Sequence, residues 1–252
     1  MDIRIIMEKL KFMDDPYLED AFKAAIQNQE EITPELLEVV EIATVQAHDP
    51  FGLEDYVLCI HALYLLAHFR EKKAFSPIID LFSTPDDTAL ELTGNMFVED
   101  LGRILASVYD GNVGLLKAMI ENEAVHPLMR ASAIESLVVL MAVGEITRDE
   151  VVTYYQELFQ GRLKRQPSLI WNSLTACVVD IHPEELYEEI LHCFHDELID
   201  ETFIDLDRVD EALEVEREEA LENLLLISDY SLIDDVIQEI RDWTGDHLEE
   251  EA

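Results

Sequence analysis

Four times between residues 56 and 194 the chain presents an apolar run of helical period, then a short turn and a second apolar run; nothing else constrains the fold as much. The first runs are YVLCIHALYLLAHF from Tyr56, VEDLGRILASVYD from Val98, RASAIESLVVLMAV from Arg130 and SLIWNSLTACVVD from Ser168. Aligned, Leu63, Leu105, Leu137 and Leu174 share one register, and Ala67, Tyr109, Met141 and Val178 stand four positions later. Each run therefore carries an i, i+4 apolar stripe. The second runs cover residues 77–82, 113–120, 148–159 and 183–194, and Asp110-Gly111, Gly144 with Thr147, and His182-Pro183 punctuate the turns between. The register leucines lie 42, 32 and 37 residues apart, near the period of HEAT or armadillo units though irregular. A lone hairpin cannot bury its apolar face, whereas a stack can if its two ends are capped by more polar elements. The expected fold is all-α: an α-solenoid of HEAT-like stacked helical hairpins in a single elongated or curved domain.

The flanks supply the caps. Helices are expected at 16–27 and 34–47, the second opened by Thr33 as N-cap with Pro34 at the first helical position, before a break at His48-Asp49-Pro50-Phe51-Gly52. Residues 1–52 then form an N-terminal helical cap and 53–195 the repeats. From Glu184 to Ala252 there are 26 acidic residues against Arg208, Arg217 and Arg241. Leu213, Leu221, Leu224, Leu225, Ile233, Val236, Ile237 and Ile240 nevertheless keep helical spacing, which predicts acidic amphipathic helices over 196–245 and a flexible acidic tail at 246–252.

With 17 basic and 56 acidic residues the formal charge is -39, which repels phosphate backbones and anionic membranes and favours a cationic partner. Cys59, Cys177 and Cys193 lie far apart in apolar runs, unlike a disulfide framework, and fit a reducing cytoplasm. Residues 1–12 alternate charged and apolar side chains and do not read as a signal peptide. The most apolar stretch, 56–69, carries His61 and His68 and falls short of the ~20 residues a bilayer span needs, so it reads as a buried helix.

The run from Gly94 to Gly111, GNMFVEDLGRILASVYDG, with HALYLLA from His61 before it and GEITRDEV from Gly144 after it, resembles an uncharacterised bacterial family, domain of unknown function 1186. The resemblance covers roughly residues 32–193. It implies HEAT-like helical repeats in a group found mainly in chlamydiae and cyanobacteria, and it implies no activity. Some members of that family end in a cysteine-rich zinc-binding motif like that of the secretion ATPase SecA; the present sequence has no such cluster.

Candidate chemistry is sparse. Glu188 and Glu189 stand four and three residues before His192 on one helical face, with His195 beyond, a spacing that can hold a divalent ion; Glu189, His192 and His195 are the metal candidates. Glu123 and His126 repeat the Glu-x-x-His element known from di-iron bundles, but in a loop and without bridging glutamates. With so many acids, two such spacings are what chance placement supplies, and no metal or cofactor is assigned. Asp205, Asp207 and Asp210 lack the turn glycine of an EF-hand and read as a solvated helix start. Cys59 and His61, two apart on a helix, face different ways, Cys177 and His182 straddle a helix end, and no nucleotide or hydrolase motif is present. Arg162, Lys164 and Arg165 follow the C-cap Gly161, where positive charge suits the helix dipole; they could also dock on the acidic C-terminal helices or on an anionic partner.

One positional feature remains. Two residues before each register leucine stand His61, Arg103, Glu135 and Asn172, all polar, and in a stack of hairpins equivalent positions form a row. This row is either a partner-binding stripe or an ordinary solvent face. The expected function is a non-enzymatic, cytoplasmic protein-binding scaffold with a basic protein partner, no direct nucleic acid and no membrane. The alternatives are a metal-dependent enzyme built on the Glu/His cluster and an acidic nucleic-acid mimic.

Overall fold

The computed structural model describes residues 1–13, 18–46, 56–85 and 88–244. Among them the chain forms α1 (Ile3–Lys9), α2 (Leu18–Gln27), α3 (Gln29–Gln46), α4 (Tyr56–His68), α5 (Phe75–Phe82), α6 (Thr88–Ser107), α7 (Val113–Glu121), α8 (Pro127–Ala142), α9 (Arg148–Glu157), α10 (Leu169–Asp180), α11 (Tyr187–His195), α12 (Leu206–Leu213), α13 (Arg217–Leu224) and α14 (Val236–Thr244). The described residues contain no β-strand, and one isolated bridge joins Pro85 to Val125. The expected helix start at Pro16, the break at 48–52 and the tail at 246–252 lie outside the described residues.

Helices cover all eight expected apolar runs between residues 56 and 195, as α4 to α11 in order. Local chemistry sets their boundaries. Gly111 and Gly144 take φ of 102° and 79° in the turns after α6 and α8, a region that a residue without Cβ enters freely. Asn112 accepts the Gly114 amide at 3.2 Å to open α7. Pro127 sits at the start of α8 behind His126, whose ring nitrogen accepts the Leu128 amide, and Thr147 and Glu150 form a reciprocal capping box on α9. Two arginines at helix starts satisfy carbonyls at the ends of other helices: Arg130 of α8 donates to the Ile120 carbonyl of α7 at 2.7 Å, and Arg148 of α9 to the Ile181 and His182 carbonyls that follow α10 at 2.8 Å each.

Two boundaries differ from the sequence reading. Helix α3 starts at Gln29 instead of Pro34, so Pro34 lies within it, and Thr33 donates its hydroxyl to the Gln29 carbonyl instead of capping. The completely buried Ile32 gives the reason, since docking it requires the extra turn upstream. Helix α6 begins at Thr88, ten residues before the aligned apolar run.

The first helices pack in succession, α4 on α6, α6 on α8 and α8 on α10, with α5 against α7. Helices α6 and α8 approach closely: a Cβ at Gly102 would stand 3.0 Å from the Ser132 carbonyl oxygen and 3.2 Å from Glu135 Cβ. In α4 every residue from Val57 to Ala67 is buried, as a run apolar on all sides requires. Beyond α11 the chain turns back along this row. Helices α12 and α13 pack on α10, the turn at Ser228–Tyr230 on α8 and α6, and α14 on α4 and α2. One apolar cluster runs from Ile6 to Ile240. Leu225 is an exception to the expected C-terminal stripe, at 63% exposed, because α13 ends at Leu224 and the next residues leave the core.

Candidate functional site

The polar row stands on the four first helices, and at three of its members the chain's own ends occupy it. His61 is fully buried, its Nδ1–H donating to the Leu10 carbonyl at 2.7 Å and its ring edge-on to Phe22. Its Nε2 is enclosed without a partner, and burial pushes its pKa down to about 4. Asn172 accepts the Asp200 amide at 2.9 Å, just after the chain turns out of α11.

Arg103 carries the densest set of contacts. Its guanidinium grips Glu239 of α14 through two nitrogens at 2.6 and 2.9 Å and Asp100 at 2.8 Å; Nε donates to the Ser231 carbonyl at 3.1 Å. The need follows from the backbone. Residues 231–235 have no regular structure, yet Ile233 is completely buried, so their peptide groups require partners other than a helix ladder. Ser107 Oγ accepts the Ile233 amide at 3.0 Å, and Arg70 donates to the Ile233 carbonyl at 2.9 Å while pairing with Asp234. Arg70, Arg103 and Ser107 together clamp an extended stretch of chain.

Glu135 differs from the other three. No side chain among the described residues hydrogen-bonds or pairs with it, and burial, with Asp229 and Asp180 nearby, pushes its pKa up to about 7. It borders a cavity of about 350 Å³ between α6, α8, α10 and the Ser228–Tyr230 turn.

The metal candidates are not brought together. Glu189 accepts from Gln156 and Gln160, at 3.4 and 3.2 Å, His195 meets Asp196, and His192 is exposed. Among the described residues no three of His, Cys, Asp or Glu converge as a metal site, Glu123 with His126 included. The basic cluster is internally matched: Arg162 pairs with Glu121 and Glu157, Lys164 with Glu123, and Arg165 with Asp196 beyond α11. All three cysteines are free and buried, and burial pushes the Cys59 and Cys193 thiols up to about 12 and 11, far from thiolate formation. His61 faces Leu10 and His182 Nε2 faces the Val215 carbonyl, so neither histidine is paired with a cysteine. Asp205 caps α12 by accepting the Arg208 amide, as a helix start should.

A model of the family described as "Protein of unknown function (DUF1186)" matches residues 1–247. The chain belongs to this family. The DUF1186 match extends over both flanks of the region that carried the sequence resemblance. Two chlamydial proteins are similar over nearly the whole chain. A protein of Chlamydia muridarum (strain MoPn / Nigg) is 37% identical over 245 residues, covering 96% of this chain and 97% of its own length. A protein of Chlamydia trachomatis serovar D (strain ATCC VR-885 / DSM 19411 / UW-3/Cx) is likewise 37% identical, covering 96% of each. Both are described as uncharacterized proteins. No solved structure matches. No helix among the described residues is long and apolar enough to cross a membrane.

The sequence reading missed what meets the row at Arg103, Glu239 and Ser231, and the hold that Arg70 and Ser107 add on Ile233. Glu239 was visible only as one acid among many, because nothing in helical periodicity links residue 239 to residue 103.

Proposed function

We propose that the chain is a non-enzymatic scaffold, a stack of HEAT-like helical hairpins over residues 53–195, that docks a basic segment of a protein partner on its acidic C-terminal end. In this reading residues 1–52 cap one end of the stack, 196–245 serve as both cap and docking surface, and the protein works in the reducing cytoplasm that three buried free cysteines suit.

The observation that carries the reading is the turn after α13. Leu225, Leu226 and Ile227 stand 63%, 84% and 41% exposed in succession, with the exposed carboxylates Glu218, Glu219, Glu222 and Asp229 around them in sequence. An apolar centre flanked by one sign of charge suits an amphipathic segment of the opposite sign. Within the row of His61, Arg103, Glu135 and Asn172, Arg103 supports docking indirectly, by holding Ser231 and Glu239 just beyond this turn.

A cationic amphipathic peptide titrated into the protein at rising salt tests this. Binding should be measurable at low salt, weaken as salt screens the carboxylates, and fall with Leu226→Ser. Binding that is absent at low salt, indifferent to salt, or unaffected by Leu226→Ser would overturn the reading.

A further inference from the structure

The cavity beside Glu135 is built in layers. Val139, Cys177 and Ser173 form its floor, all buried, and Glu99, Asp229 and Phe203 its exposed rim. The Ser173 residue is only 7% exposed, and its hydroxyl has no hydrogen-bond partner among the described residues. The hydroxyl of the buried Ser173 and the partly buried Glu135 carboxylate border one cavity, and neither is taken up by another side chain among the described residues, which is what a ligand site requires. The charge there is one-sided. Four carboxylates, Glu99, Asp100, Glu135 and Asp229, border the cavity against the single cation Arg103, whose guanidinium is already committed to Asp100 and Glu239. The Tyr230 and Phe203 rings add apolar and aromatic wall, and the Tyr230 hydroxyl is turned to Asp180.

We propose that this cavity binds a small organic cation of the alkylammonium class, its ammonium donating to Glu135 and Ser173 and its carbon stem lying against Phe203 and Tyr230. An anion would meet four carboxylates. A bare metal ion would find no convergent ligand set among the described residues, whereas an ammonium needs only an acceptor pair and gains from aromatic faces. The proposal shares only Asp229 with the docking reading and involves none of Leu225, Leu226 or Ile227, so each can fail without the other.

Isothermal titration calorimetry of the full chain at constant ionic strength, with n-butylammonium chloride as probe and n-butanol as its neutral counterpart, tests it. The expected result is saturable binding of one n-butylammonium per chain and none of n-butanol. Glu135→Gln, nearly isosteric and relieved of a buried charge, should weaken binding about tenfold or more, the worth of one charge-assisted hydrogen bond. Phe203→Ala, at an exposed position where folding is not at stake, should weaken it several-fold. Leu226→Ser should leave it unchanged while weakening peptide docking. No saturable heat with n-butylammonium, equal binding of n-butanol, or wild-type affinity in both Glu135→Gln and Phe203→Ala would overturn the proposal.

Discussion

At the scale of single residues, the two titratable members of the row pull stability in opposite directions with pH. His61 has a folded pKa near 4 against an ordinary 6.5, so its contribution is complete above 6.5 and is lost as pH falls toward 4. The full effect is on the order of 3 kcal/mol. Glu135 has a folded pKa near 7 against an ordinary 4.5, so its contribution is complete below 4.5 and is lost as pH rises through 7. Urea midpoints between pH 4.5 and 6.5 should therefore rise with pH more steeply in Glu135→Gln than in wild type, and less steeply in His61→Gln. Parallel profiles for all three proteins would contradict the assignment. Arg103 makes a second prediction. Arg103→Ala strands Glu239 and leaves Asp100 with only the Tyr64 hydroxyl in a half-buried site, and should cost about 3–5 kcal/mol, the penalty of breaking a buried pair. Arg103→Lys keeps the charge but loses the fork that reaches both Glu239 and Ser231, and should fall between the two in urea unfolding.

At the scale of elements, Gly102 sets how closely α6 approaches α8. An alanine would gain up to about 1 kcal/mol of helix propensity, yet its methyl meets the Ser132 backbone carbonyl, which cannot swing away like a side-chain tip. Overpacking costs about 1–3 kcal/mol, so Gly102→Ala should be a net destabilisation, seen as a lower melting temperature. An unchanged or higher melting temperature would mean that the two helices are free to separate. The extended stretch at 231–235 is the element most dependent on others, because side chains of α6 and of the loop after α4 supply its hydrogen bonds. In hydrogen exchange its Ile233 amide should be protected in wild type and lose that protection in Ser107→Ala, while the amides of α8 keep theirs.

At the scale of the whole molecule, a charge of -39 on 252 residues means that like-charge repulsion opposes the folded state. Raising salt from a few millimolar to about 0.5 M should screen that repulsion and raise the melting temperature. At this size each kcal/mol is worth about 2–4 °C. A melting temperature that falls with salt would place the balance instead with the internal ion pairs, among them Arg103 with Glu239 and Arg148 with Glu185.

The helices were legible in the sequence because their signals are local: apolar residues three and four apart, and Gly111, Gly144 with Thr147, and Pro183 at the turns. So was the burial of α4, whose run leaves no polar face. The register that lines up His61, Arg103, Glu135 and Asn172 is also local, a matter of counting back from each leucine. What faces that row is a different kind of fact. Glu239 reaches Arg103 across 136 positions and Ile233 reaches Ser107 across 126, distances over which no periodicity carries information. Pro34 within α3 and Leu225 outside the core are the same lesson at smaller range, since local preference yields wherever tertiary burial of Ile32 or the exit of the chain from α13 decides. The residues therefore determined the helices and one polar edge, and only the folded chain, by laying its acidic end along that edge, decided which polar groups are satisfied and which, at Glu135 and Ser173, are left open.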